Sequence, residues 1–461
     1  MCLAWSVPAA FTYSDLFAGI GGFHAALSAM GGECVYAVEI DRAAARVYEQ
    51  NWGIDPLGDI TDDAGEGGVA PTVRPHDVLA AGFPCQPFSK SGAQKGMEEV
   101  RGTLYFNILQ VVHRHHPTVL LLENVRNLAG PRHRHEWEVI VRTLREEGYR
   151  VADTPAILSP HQLGPERGGR PQVRERVFVT ATHDPEGLGG PAPEGLGGPA
   201  PAPVARSREL YGEGAVGWSI ESVLSDDVEG YGLTPDETRW IEAWDDWVHT
   251  FRKYNPGARL PGFPIWVDAW QTVEELEIQI DSGELDGTPR WKMGFLRKNA
   301  ELFTANQSWC RAWVKRSGVK GFPPSRRKLE WQAQELGSLW DCLMHFRPSG
   351  LRAKAPTYVP ALVAITQTSI VGPRRRRITP REAARLQGFP DGFSFSGQSD
   401  ATTYKQLGNG VNVGAVWNIL KMHCERDRSV LESTASGRRI LAAVDGAPES
   451  PDGPVQALFT R

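Results

Sequence analysis

Two uninterrupted apolar runs, Val78-Leu79-Ala80-Ala81 and Val119-Leu120-Leu121-Leu122, constrain this chain most. Apolar runs without polar alternation read as strands buried on both faces, the pattern of a parallel sheet covered by helices. Each run stops at residues that carry chemistry. The first leads through Gly82-Phe83-Pro84 to Cys85-Gln86-Pro87-Phe88-Ser89, and the second leads into Glu123-Asn124-Val125. A thiol and a carboxyl group at the ends of two parallel strands would converge on one edge. Open α/β sheets place their chemistry there.

The surrounding sequence fits that frame. Between residues 11 and about 182, strand candidates (Phe11 to Phe17, Cys34 to Val38, Asp77 to Ala81, Thr118 to Leu122, Tyr149 to Ala152, Arg176 to Thr182) alternate with amphipathic segments such as Arg42 to Asn51 and Leu104 to His115. Such alternation predicts an α/β fold with a doubly wound, mostly parallel sheet. A Gly/Pro-rich octapeptide, Glu186 to Pro193, is then repeated at once as Glu194 to Pro201, so residues 183–204 read as a linker. Eleven of the fifteen tryptophans lie between Trp218 and Trp340. They predict a second, smaller domain over 205–403, with most of the rings in its core and a few available for a partner. Residues 404–425 are expected to complete the first domain, and 426–461, poor in apolar periodicity, to form a mobile tail.

A length of 461 residues suits two domains and a tail. The formal net charge of -5 argues mildly against a nucleic-acid binder, but phosphate contacts need only a local basic face. The six cysteines are scattered without a C-x-x-C pair, so neither a zinc site nor a disulfide framework is indicated. No metal is expected, and the reading is of a reduced, cytoplasmic protein. Neither a transmembrane run nor a signal peptide is recognised.

Asp15-Leu16-Phe17-Ala18-Gly19-Ile20-Gly21-Gly22-Phe23 is a strand running into a Gly-rich turn. Its spacing is neither that of a dinucleotide fingerprint nor that of a P-loop. Glu39, at the end of the next strand candidate, can accept hydrogen bonds from ribose hydroxyls; a solvated strand end is the alternative. Asp59, in Gly58-Asp59-Ile60, can bind an adenine amino group or serve as a turn residue. Gln172-Val173-Arg174-Glu175-Arg176 alternates, so Arg174 and Arg176 share one face. The helix start at Thr379-Pro380 follows four arginines, Arg374 to Arg377, which suit a phosphate-facing edge or a solvated basic linker.

Taken together, and in this order along the chain, these motifs closely resemble the C5-cytosine DNA methyltransferase family of bacterial restriction-modification type. The resemblance implies a Rossmann-like, S-adenosylmethionine-dependent fold with a target-recognition domain that includes a hinge motif at 372–390. Cys85 would be the nucleophile that adds to cytosine C6, Glu123 would contact N3 and the exocyclic amine, Arg176 would reach O2, and Arg174 would support the site. Phe17, Gly19, Gly22, Glu39 and Ile40 would form one part of the cofactor pocket. Asp59, Ile60, Pro84 and Leu104 would form another, completed by Asn409 and Val411 of Gln406-Leu407-Gly408-Asn409-Gly410-Val411. The family usually has Ser or Ala at the position of Gly410. Gln86, Ser89, Ser91 and Arg101 would touch DNA from a loop that closes over a flipped base.

The implied partner is double-stranded DNA, with a cognate endonuclease acting separately and the enzyme working as a monomer. Two other readings stand beside this one. An RNA (tRNA) cytosine-5 methyltransferase would share the catalytic fold, and a catalytically silent DNA-binding relative would share the overall sequence.

Overall fold

The computed structural model describes residues 9–84, 100, 103–187, 217–362 and 368–460. The chain divides into two compact units. The first comprises residues up to Trp218, Pro360–Thr366 and Pro380–Arg461; the second comprises Ser219–Val359 and Gln367–Thr379.

The first unit opens with β1 (Phe11–Leu16), α1 (Gly22–Ala29), β2 (Gly32–Val38), α2 (Arg42–Trp52), β3 (Val78–Gly82) and α3 (Leu104–His115). It continues with β4 (Val119–Val125), α4 (Arg134–Glu146), β5 (Tyr149–Val151), β6 (Ala156–Leu158) and β7 (Arg176–His183). The sheet order is β2-β1-β3-β4-β7-β5, with β6 also paired to β7. The pairings β1–β2, β1–β3 and β3–β4 are parallel, whereas β7 runs antiparallel to β4, β5 and β6. The two apolar runs are the neighbours β3 and β4, and their residues are buried on both faces. The strand expected over Arg176 to Thr182 is present as β7, but it runs antiparallel, and the short β6 is an addition to the expected sheet. No crossover helix separates β5, β6 and β7, so β7 can pair antiparallel with its neighbours.

Strand order reverses at β1, which has β2 on one side and β3 on the other. That reversal opens a crevice at the carboxyl ends of the strands. Local chemistry shapes the turns around it. Asp41 caps α2 by accepting from the amides of Ala43 and Ala44, and Gly53 ends it in the left-handed region.

The second unit contains α5 (Pro235–Tyr254), β8 (Ile265–Trp266), α6 (Arg290–Ala305), α7 (Gln307–Ser317), β9 (Lys328–Gln332), β10 (Leu343–Arg347), β11 (Gly350–Lys354), β12 (Ile370–Val371) and β13 (Arg376–Arg377). Its six-stranded sheet has the order β8-β9-β11-β10-β12-β13. Trp244, Trp247, Trp309, Trp313 and Trp331 are buried together with Leu329, Met344, Phe346 and Leu351 in one core. The tryptophans are thus mainly structural.

Two boundaries differ from expectation. Residues 380–403 belong with the first unit, not the second. Helix α8 (Pro380–Leu386) buries Ala383, Ala384 and Leu386, and the Arg385 carbonyl accepts from Arg170 Nε at 2.9 Å. After α9 (Asp400–Asn409) and α10 (Val413–Arg426), the segment read as a mobile tail is helical and packed. Helices α11 (Ala435–Gly446) and α12 (Asp452–Ala457) bury Ile440, Leu441, Val444 and Val455. Phe459 closes on Trp52 and Phe393, with ring centroids 5.2 and 5.8 Å away. Each helix is too short to display a long apolar period, but each carries enough buried surface to hold in place.

The linker call falls mostly on residues 188–204, outside the described residues. Among the described residues, no helix is long and apolar enough to cross a membrane.

Candidate active site

Glu123 sits near the end of β4, directly opposite Gly82 at the end of β3. The carboxylate lies against Gly82: a Cβ there would meet Glu123 Oε2 at 3.5 Å, an ordinary van der Waals distance. From the next strand, Arg176 Nε approaches Glu123 Oε1 at 2.9 Å. Burial raises the Glu123 pKa, while Arg176 and Arg174 oppose the rise. The result is a shielded carboxyl group, able to carry a proton and held in orientation by a guanidinium.

Asn124 fixes the adjoining loop. Its Nδ2 donates to the Phe83 carbonyl at 2.9 Å, which anchors the backbone immediately before the exposed Pro84. Cys85, the expected nucleophile, follows Pro84 and lies outside the described residues, as do Gln86, Ser89, Ser91 and Arg101.

Arg174 has a different place from Arg176. It is 1% exposed. Its Nη2 donates to the carbonyls of Gly408 and Gly410 at 2.8 and 2.6 Å, and Nη1 donates to Leu362 O at 3.0 Å. Ser159 Oγ accepts from the Arg174 amide at 2.7 Å. Burial pulls the guanidinium pKa down to about 9, and Arg176 adds to the fall. Arg174 is therefore a buried staple between the strand that carries Arg176 and the Gly408–Gly410 turn. Toward the carboxyl site, its charge opposes the rise in the Glu123 pKa.

The Gly-rich turn after β1 is wound tightly, with Phe17, Gly19 and Gly21 all at positive φ. Phe17 is a non-glycine residue in that region, a strained state that surrounding structure must hold. Glu39 supplies the hold. Its Oε2 accepts from Gly19 N at 2.8 Å and its Oε1 from Asp41 N at 2.7 Å. Burial raises the Glu39 pKa, and the two amides oppose that rise. Glu39 thus braces the turn from β2 and is not a solvated strand end.

Beside it, Ile40 is 68% exposed and Leu57 48% exposed, among the few large apolar side chains left in solvent. Leu57 pairs with Glu39 in a parallel bridge, so both flank the same carboxylate. Two exposed apolar side chains beside a carboxylate and a Gly-rich turn form a wall suited to a nucleoside. The sequence reading did not find Leu57. Its only signal was an apolar residue directly before Gly58-Asp59.

Asp59 Oδ1 accepts from the amide and hydroxyl of Thr61, so it caps the helical turn Ile60–Asp63. The Ile60 side chain points into the core and can offer a ligand only its backbone. Leu104 packs half-buried at the start of α3. Val411 presses against Gly22, so the last motif returns to the Gly-rich turn; Asn409 is exposed one turn away. Gly22 thus admits the close approach of Val411. Three of the four arginines at 374–377 bond to groups of the second unit, and the exposed Arg375 lies over the Trp340 ring at 4.4 Å. Arg374 pairs with Glu221 at 2.9 Å, Arg377 with Glu237 at 2.5 Å, and Arg376 donates to Ser225 O.

Comparison with known proteins adds independent findings. The family model described as C-5 cytosine-specific DNA methylase matches residues 11–425. The chain is 49% identical to the type II methyltransferase M.AluI of Cellulosimicrobium cellulans, over 98% of both chains. It is 40% identical to M.HpaII of Haemophilus parainfluenzae, over 39% of this chain and 48% of that one. It is 43% identical to M.HhaI of Haemophilus parahaemolyticus, over 36% of this chain and 47% of that one.

Proposed function

Because the chain belongs to the C-5 cytosine-specific DNA methylase family, we propose that it methylates C5 of a flipped-out cytosine in a short double-stranded DNA site, as the modification half of a restriction-modification pair. The observation that carries this reading is the buried Glu123–Arg176 pair beside the strand end that leads to Cys85.

C5 of cytosine is a poor nucleophile until the ring is activated. The Cys85 thiolate adds to C6, and the Glu123 carboxyl group holds a proton at N3 as negative charge develops there. Arg176 orients that carboxyl group and would donate to O2 of the bound ring. Addition makes C5 nucleophilic toward an electrophilic methyl group, and once C5 is methylated a base would remove its proton as the C6–S bond breaks and the thiolate leaves. Bound S-adenosylmethionine supplies an electrophilic methyl group. Glu39, Ile40, Leu57 and the turn from Phe17 to Gly22 are the residues that would hold its nucleoside, and Asp59 retains a carboxylate for the base. The second unit supplies target recognition. A separate endonuclease, a monomeric enzyme and a cytoplasmic setting complete the proposal.

The test is expression in a methylation-free bacterial host, followed by base-resolution mapping of 5-methylcytosine. Methylation at one short motif, lost in Cys85→Ala, is expected. A chromosome without 5-methylcytosine, from soluble protein that binds S-adenosylmethionine, would reject the DNA assignment and direct the search to RNA.

A further inference from the structure

The second unit has a marked charge asymmetry. Residues 219–305 carry seventeen Asp or Glu against eight Lys or Arg, whereas residues 306–379 carry three against fourteen. Much of the basic half is the sheet. Strand alternation sends Leu329, Trp331, Met344, Phe346, Leu351 and Ala353 into the core. The opposite face therefore receives Lys328, Glu330, His345, Arg347, Arg352 and Lys354.

This face holds one carboxylate, Glu330, among Lys328, Arg347, Arg352 and Lys354; burial pulls the Lys354 pKa down to about 8, and Arg352 adds to the fall. Glu330 accepts from Arg352 Nε at 2.8 Å and lies 3.7 Å from Arg347 Nη1. Lys328 and Lys354 have no ion pair among the described residues. Their Nζ atoms lie over the rings of Trp266 and Tyr358, at 5.5 and 3.6 Å. Arg352 stands directly across from His345. Burial pulls the His345 pKa down to about 3, and the neighbouring cations add to the fall, so His345 brings no charge to the face. Arg347 Nη1 and His345 Nδ1 are buried without a hydrogen-bond partner among the described residues. The face is covered at Leu343, which is fully buried opposite Lys354, and open toward Arg347 and Arg352, whose side chains are 43% and 33% exposed.

We propose that this face of the second unit's sheet, through Lys328, Arg347 and Lys354, binds the phosphate backbone of the target duplex. The inference rests on the DNA assignment above and names the surface that would serve it. Arginine and lysine with neighbouring aromatic rings suit backbone contacts, and the excess of cations over Glu330 supplies the complementary charge. Arg374, Arg376 and Arg377, the basic run most visible in the sequence, are already engaged elsewhere.

The test is the salt dependence of binding to a labelled duplex oligonucleotide, with full-length wild type, Arg347→Gln/Lys354→Gln, and the α5 surface variant Lys253→Gln. The double variant should bind more weakly to cognate and unrelated duplexes alike. The slope of log K against log salt should flatten by about 0.9 for each phosphate contact removed. Its S-adenosylmethionine affinity and melting temperature should match wild type, and Lys253→Gln should leave the slope unchanged. A folded double variant with the wild-type slope would overturn the assignment of this face. If the double variant does not fold, Lys354→Gln alone carries the same readout. Wild type that binds no duplex DNA would overturn both the DNA assignment and the face.

Discussion

Gly22 and Val411 touch across the first unit: a Cβ on Gly22 would lie 2.6 Å from the Val411 carbonyl oxygen and 2.7 Å from its Cγ1. The contact joins the Gly-rich turn near the start of the chain to the motif that returns near its end. Gly22→Ala should therefore push the two apart, at a cost of about 1–3 kcal/mol for an overpacked interior site. Thermal unfolding should show the loss, and calorimetry should show weaker S-adenosylmethionine binding.

Arg176 restrains the rise in the Glu123 pKa that burial causes. A carboxyl group raised in the folded state contributes stability that is fully present below its unfolded value and lost as pH rises through the folded value. Arg176→Gln removes an opposing charge, so the Glu123 pKa should rise further. Melting temperatures followed from about pH 4 to about pH 8 should fall more steeply at the upper end in the variant than in wild type. Parallel curves would show that the pair is not coupled in this way.

Glu39 accepts from two backbone amides at once. Glu39→Gln keeps a single carbonyl oxygen and loses one charge-assisted bond, about 1.5–3 kcal/mol. S-adenosylmethionine affinity should fall by at least tenfold, with duplex binding little changed. An unchanged cofactor affinity would remove Glu39 from the pocket.

Gly410 serves through its carbonyl, which accepts from Arg174. Its φ is -65°, and an added Cβ would meet Gln406 O at 3.4 Å, a contact at the edge of ordinary van der Waals range. Gly410→Ala should retain full methylation and gain about 0.4–1 kcal/mol by restricting the unfolded chain. Chemical denaturation measures the gain.

Phe459 packs on Trp52 and Phe393. Phe459→Ala should destabilise the first unit by about 1–2 kcal/mol, the scale of a half-buried aromatic contact. A variant that melts like wild type would return the C-terminal segment to the status of a loose appendage.

Strands β3 and β4 were legible because residues buried on both faces must be apolar throughout, a pattern that needs no tertiary information. Glu123, Arg176 and the Gly-rich turn were legible for a similar reason: each lies at a strand end, where local pattern already implies position. Leu57 was not, since only its pairing with Glu39 makes an ordinary loop leucine part of a wall. The role of Arg174 was equally hidden. Its spacing matches that of Arg176, but its partners are carbonyls at 362, 408 and 410 that no local pattern connects to it.

The sequence by itself determined the alternating architecture, the family and the residue types gathered at the strand ends, because periodicity and motif order are local properties. Only the tertiary structure decided that the C-terminal helices are packed, that three of four conspicuous arginines bond to groups of their own unit, and that a quieter set of cations shares one sheet face. Those outcomes depend on which distant side chains meet, and the free energy of burial and charge pairing is settled by contacts between residues far apart in the chain.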